Sequence, residues 1–382
     1  MKPAVINLIG RMLGVGLAVA YLPGTSQPDT VGRMIVGWIG VAVLLWIAPR
    51  CQWSLPGTAL LALATVSLAW AAILPDAAFE LLQWLLLAGS FALGTAGIAA
   101  SVFEGAAWGM AINAALAIGQ VFGWHPVIEA VSPAGLFGNK DHMAEAALLV
   151  TIPLIWQSRL WLAALISPAL LLPRDRAVLI AAAAAAVIGL WSQSRGLAVA
   201  LGIAGLIAAA AISFTSDKQL SAHQRLDLWR GTIAGLTFEG HGIGQFHSGW
   251  PLQNKRKAEA MRPEHADNDW LELAYELGVA GAFLALMFGL VIAASPPSPE
   301  RLVCIAFAVV ACFSFPLHNV ATGLLGLCAA GAVYRDRAAL RRGHPVRPGL
   351  ADGGAFGRAS HGADHGGRES LSVRSGIPEG AA

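Results

Sequence analysis

The chain has 382 residues, of which 56% are hydrophobic and 13% charged, with a mean hydropathy of +0.62. A soluble domain carries about 25% charged residues, so this composition would leave large apolar patches in water and excludes an ordinary soluble globular domain. The formal net charge of +2 singles out no class of partner, whereas 13 Trp residues suit a membrane–water interface.

In chain order, apolar runs of the length a spanning helix needs, about 17–25 residues, fall near 4–22, 31–48, 57–74, 79–99, 104–122 and 142–157. Further runs fall near 160–173, 176–193, 196–214, 270–294, 300–316 and 318–334. The run 160–173 is short and Pro-bounded, so it reads as a full or a partial span. The first twenty residues mimic a signal peptide, with Lys2 and Ala18-Val19-Ala20, but Arg11 interrupts the stretch and an uncleaved helix is the better reading. These runs are too long and too uniformly apolar for barrel strands. The expected fold is therefore all-α: a polytopic transmembrane bundle of about twelve spans over residues 1–334. Abundant Gly and Ala, as in Ala181 to Ala186, suit close helix packing in lipid. Cys51, Cys304, Cys312 and Cys328 show no CxxC spacing, which argues for neither a disulfide framework nor a thiolate metal site.

The Lys/Arg bias of the short loops sets orientation. With an even number of spans, Lys2, Arg50, Arg159, Arg195, Arg301 and the group from Arg335 to Arg347 share the cytoplasmic side. Arg33, Lys140, Arg174, Arg176 and the long 215–269 loop fall outside. Residues 335–382 are rich in Gly, Arg, Ser and His and read as a disordered cytoplasmic tail; His361 and His365 belong to it.

The 215–269 loop is polar yet patterned. Leu226, Trp229, Ile233 and Leu236 recur at helical spacing, and Arg225, Asp227 and Arg230 lie off that stripe. The pattern predicts an amphipathic helix on the membrane surface or against the bundle, or a solvated loop helix. Seven basic residues on the outer face run against the positive-inside tendency, and Arg forks suit phosphate oxygens. Gly240-His241-Gly242-Ile243-Gly244 lacks the strand a dinucleotide fingerprint requires, so it reads as a tight turn or a small anion nest. Asp267 to Asp269 are N-cap types for the next helix, and Glu272 stands at capping-box spacing from Asp269. His265, just before that helix, is either a general base or an interfacial His bonded to the cap. A zinc set of His241, His247, His265 and Asp267 has suitable ligand types but no compact spacing, and the expectation is no metal. No GxxxxGK[ST], HExxH or GxSxG motif occurs.

Elsewhere, Asn139 or Asp141 caps the run from Met143 to Trp156, with Lys140 at its positive end and Glu145 one turn inside, near enough to the end to reach water. His318 lies between two apolar spans. Segments 138–145, 218–269 and 318–319 thus place polar groups on one membrane face.

The ordered motifs Gly135-Leu136-Phe137-Gly138-Asn139-Lys140-Asp141-His142, Ser194-Arg195-Gly196, Arg225-Leu226-Asp227-Leu228-Trp229 with Gly242-Ile243-Gly244, and His265-Ala266-Asp267-Asn268-Asp269-Trp270-Leu271 with Glu276-Leu277-Gly278 resemble the O-antigen ligase/polymerase family of bacterial envelope glycosyltransferases. Phe315-Pro316-Leu317-His318 adds to the resemblance, which covers 135–334 best. It implies transfer of a glycan from undecaprenyl pyrophosphate to a hydroxyl of lipid A-core, polysaccharide or protein, at the periplasmic face of the inner membrane and without metal or nucleotide cofactor. It makes His265 the general base and Arg225 the pyrophosphate stabiliser. Arg230, Lys140, Arg195, His318 and Asp269 are the further substrate-binding candidates, although the span count sets Arg195 on the opposite face. The alternatives are a transporter or flippase of a lipid-linked glycan, which needs charged groups deep within spans, and a noncatalytic membrane scaffold.

Overall fold

The computed structural model describes residues 3–22, 28–48, 51–126, 133–213, 216–253 and 263–342. Among them lie fourteen helices and no strand. In chain order these are α1 (Pro3–Val19), α2 (Pro28–Ile47), α3 (Leu55–Ser67), α4 (Leu74–Thr95), α5 (Ala99–Val121), α6 (Lys140–Trp156) and α7 (Leu160–Leu171). They continue as α8 (Arg176–Leu190), α9 (Arg195–Ser213), α10 (Ser216–Ala234), α11 (Phe246–Gln253), α12 (Asp269–Ala293), α13 (Pro299–Val310) and α14 (Val320–Arg341). Lys2, Arg50, the cations Lys255, Arg256, Lys257 and Arg262, and the tail with His361 and His365 lie outside the described residues.

Each of the twelve apolar runs coincides with one helix. Five helical segments are long and apolar enough to cross a membrane: Thr30–Ile47, Leu74–Thr95, Ala99–Val121, Arg195–Ile212 and Asp269–Ala293. Helices α7 and α13 have 12 residues each, about 18 Å at 1.5 Å per residue, against a hydrocarbon core of about 30 Å. Outward-facing Ile39, Trp46, Ile203 and Ile207 are exposed, an apolar rim compatible with a multi-pass protein in a bilayer.

Small residues set the tightest helix pairs. A Cβ on Gly14 would lie 2.0 Å from the Val102 carbonyl oxygen, and one on Gly105 would lie 1.9 Å from that of Arg11, so α1 and α5 meet backbone to backbone. Gly94 and Gly331 do the same for α4 and α14. Arg11, the charge inside the first apolar run, pairs with Glu104 of α5 at 2.9 Å.

Three expectations need correction. The last helix continues past 334 to Arg341, where Arg335 bonds Asp336 and Arg337 reaches the Val291 carbonyl, so 335–341 is helix and not tail. The loop helix α10 exists, but its stripe does not act as one face: Leu226 and Ile233 are exposed and Leu236 lies beyond the helix end, while Trp229 donates from Nε1 to the Ala266 carbonyl. The packed side also holds buried Leu228 and Thr232, with Arg225 reaching Asp267. Finally, α12 is broken at Gly278, with φ 65° and ψ −160°. The Gly240–Gly244 turn closes that break: His241 and Gly242 amides donate to the Tyr275 and Glu276 carbonyls at 3.1 and 2.9 Å, and Val279 donates back to Phe238.

Candidate functional site

Helices α2, α4, α6, α12 and α14 all present their N-terminal ends to one cavity of about 780 Å³. Its walls include Arg33 from α2, Glu80 from α4, His142 from α6, Glu272 from α12, and the connection carrying Phe315 and His318. Each N-terminus carries roughly half a positive charge on unsatisfied amides. Five such ends and the Arg33 guanidinium oppose the carboxylates that share the space.

His265 is positioned by the turn before α12. Asp267 adopts φ 51°, a left-handed conformation that Asp tolerates better than most residues. Asn268 then caps the helix, accepting from the Leu271 amide at 3.0 Å, so it and not Asp269 is the N-cap. Glu272 therefore does not close a capping box. Its Oε2 accepts from the Ala266 amide at 2.7 Å and its Oε1 meets His265 Nδ1 at 2.9 Å. An ionised carboxylate only accepts, so Nδ1 is the donor in this contact. The Glu272 side chain is 3% exposed and that of His265 is 27% exposed, toward the cavity. His265 stacks on Phe315 with ring centroids 4.6 Å apart.

His318 stands against His265 with ring centroids 4.2 Å apart. Its Nδ1 lies 3.1 Å from Asp269 Oδ1, and its Nε2 lies 3.3 Å from Glu80 Oε1 and 3.5 Å from Glu272 Oε1. Burial works against charge on this imidazole, but Glu80, Glu272 and Asp269 outweigh it and hold the ring protonated well above the usual His range. Asp269 also accepts from the Leu317 amide at 2.9 Å, and Glu80 accepts from Trp84 Nε1 at 3.0 Å. The buried acids are thus hydrogen-bonded, as buried charge requires.

The other expected site residues fare unevenly. Arg225 donates from Nε to Asp267 Oδ2 at 3.0 Å, two residues from His265, but does not line the cavity. Arg230 is exposed and pairs with Asp227 one turn away at 3.5 Å. Lys140 reaches the Pro173 carbonyl at 3.2 Å, toward the α7–α8 connection. Arg195 opens α9 in an exposed position over the Trp191 ring, outside the cavity wall. Asp269 is 2% exposed and is committed to Leu317 and His318, so it orients the wall and is not free to hold substrate. Glu145 is buried and bonded to Ser314, and does not reach water. Asn139 caps α6 as expected.

The Gly-rich turn is no anion nest. Its His241, Gly242 and Ile243 amides go to Tyr275, Glu276 and the Ser67 hydroxyl, and the Phe246 amide goes to Glu276 Oε1. The zinc set read from the sequence does not assemble: His241 bonds the Gly235 carbonyl and Asp267 bonds Arg225. Among the described residues, the one group with metal-ligand convergence is His265, Glu272 and His318.

Sequence reasoning missed Glu80 and Arg33 as members of this site. The signal was present, because each is an ionisable residue inside an apolar run, which in a membrane protein marks function by default. Arg33 is 1% exposed, donates to the Leu17 and Leu136 carbonyls, and stacks on Phe137 at 3.9 Å. Gln83 ties α4 to the Leu317 carbonyl at 2.8 Å, holding the His318 connection in place.

Searches against protein-family models and against curated proteins match nothing to this chain.

Proposed function

We propose that the chain is a glycosyltransferase of the bacterial inner membrane, with about twelve spans and its cavity facing the periplasm. In this reading it moves a glycan from an undecaprenyl-pyrophosphate donor to an acceptor hydroxyl, as an O-antigen ligase or polysaccharide polymerase does. The observation that carries the reading is His265 on the cavity wall, held at Nδ1 by buried Glu272.

The acceptor oxygen attacks the anomeric carbon and the bond from that carbon to the diphosphate oxygen breaks. The acceptor's proton passes to His265 Nε2, and the electron pair leaves on the diphosphate. General-base help of this kind is worth about 10²–10⁴ in rate. Negative charge builds on the leaving group, and fixed donors that meet it act strongly in a water-poor site. The helix N-termini and Arg33 supply such a field at the cavity. Arg225 is tied to Asp267 through Nε, so its terminal guanidinium nitrogens are the part that would meet a diphosphate, while Asp267 sets their direction.

The transporter alternative requires carboxylates inside helices, and Glu80, Glu272 and Glu276 meet that description. They gather with His265 and His318 around a single cavity and do not trace a path through the bundle. That grouping favours a reaction centre over a permeation route.

The test is a deletion strain. Long undecaprenyl-linked chains accumulating with loss of transferred glycan mark a ligase, and accumulating single repeat units mark a polymerase. Unchanged pools of lipid-linked and transferred glycan would contradict the reading.

A further inference from the structure

We propose that His265, Glu272 and His318 form a site for one zinc-class divalent cation, and that the bound ion silences the base at His265. Each residue offers a ligand atom, and these lie within 4.8 Å of one another; His265 Nδ1 and His318 Nε2 are the ring atoms found next to Glu272 Oε1. Two of the separations are 2.9 and 3.5 Å. Around a tetrahedral ion with bonds of about 2.0–2.2 Å, neighbouring donors sit about 3.3–3.6 Å apart, so both Glu272 separations lie within a few tenths of an ångström of what an ion needs, and the two rings must close on it from within 4.8 Å. Two imidazoles and one carboxylate make a familiar donor set for an ion that keeps its fourth position open. All three residues line the cavity, from which a fourth ligand could come.

The groups behind these ligands are arranged as metal sites need. Asp269 sits at 3.1 Å on the far nitrogen of His318 and is itself fixed by the Leu317 amide. A carboxylate behind a ligand imidazole orients the ring and raises its basicity. The second oxygen of Glu272 is pinned by the Ala266 amide at 2.7 Å, leaving Oε1 directed at both rings. Glu80, 3.3 Å from His318 Nε2, adds negative charge on the open side.

The consequence for chemistry follows from the imidazole. With an ion on Nδ1, the ring's one proton moves to Nε2, the atom that must accept the hydroxyl proton in the proposed transfer. The ion and the base therefore exclude each other. The binding claim stands on the donor geometry alone, while the silencing claim rests on the proposed transferase reading.

Cobalt(II) titrated into the full-length protein in detergent micelles tests the site, with visible ligand-field absorption and metal content per chain as readouts. The expected result is one ion per chain with tetrahedral bands, displaced by zinc and removed by a chelator. His265→Ala should abolish those bands, and Asp269→Asn should weaken binding by about 10–100-fold while leaving all three ligands in place. His265 is partly exposed, so His265→Ala keeps the test open if a substitution at His318 fails to fold. Absence of stoichiometric cobalt binding, or equal affinity in His265→Ala, overturns the site. In a transfer assay, stoichiometric zinc should suppress turnover and a chelator should restore it. Full turnover with the ion bound overturns the silencing. A metal-free protein that transfers nothing counts against the transferase reading, and the cobalt titration still decides the site.

Discussion

Replacing Glu272 by Gln exchanges one oxygen for an NH₂ group and tests how His265 is held. The carboxylate, 3% exposed, accepts from His265 Nδ1 and from the Ala266 amide at 2.9 and 2.7 Å. Gln keeps the volume and one acceptor oxygen, but its NH₂ faces the other donor, so one of the two bonds is lost. A hydrogen bond to a charged group is worth about 1.5–3 kcal/mol, and each 1.4 kcal/mol is tenfold. If the bond serves mainly to keep Nε2 free and aimed, transfer should fall by about 10–150-fold with the protein still inserted and abundant. The assay is glycan transfer by purified protein from a lipid-linked donor, normalised to folded protein by size-exclusion profile. Wild-type turnover in Glu272→Gln would refute the positioning argument.

Gly278→Ala should destabilise the bundle, because the φ 65°, ψ −160° conformation is essentially reserved for Gly and costs about 1–3 kcal/mol for other residues. The added Cβ would also lie 2.2 Å from the Phe238 carbonyl oxygen; a melting temperature equal to wild type would refute the account of the broken helix. Lys140→Ala and Arg195→Ala should leave transfer within about twofold, since neither residue lines the cavity and Lys140 is directed to the Pro173 carbonyl. A large loss in either variant would show that the cavity is not the whole site.

The helices were legible because apolar runs of near-spanning length have one stable outcome in lipid, and each of the twelve runs overlaps a helix, five of them long and apolar enough to span. Their N-terminal caps were partly legible: Asn139 and the Asp267–Asp269 segment were recognised as caps, although Asn268 takes the role at α12. The His265 position was legible from its place before α12. Its partner was not, because capping-box spacing suggested a backbone role for Glu272, whereas the left-handed turn at Asp267 swings the preceding residues over its carboxylate. Glu80 and Arg33 stand far from His265 along the chain, and only the convergence of five helix ends brings them to one cavity. The stripe on α10 was legible as a helix but not as a face: Trp229 packs inward while Leu226 and Ile233 stay exposed, because periodicity gives the helix without telling which face packs.

The most direct measurement is transfer by His265→Ala in purified form, with lipid-linked donor and acceptor supplied and insertion verified. The account predicts loss of about 10²–10⁴-fold with the protein still inserted and abundant; transfer at the wild-type rate would contradict it.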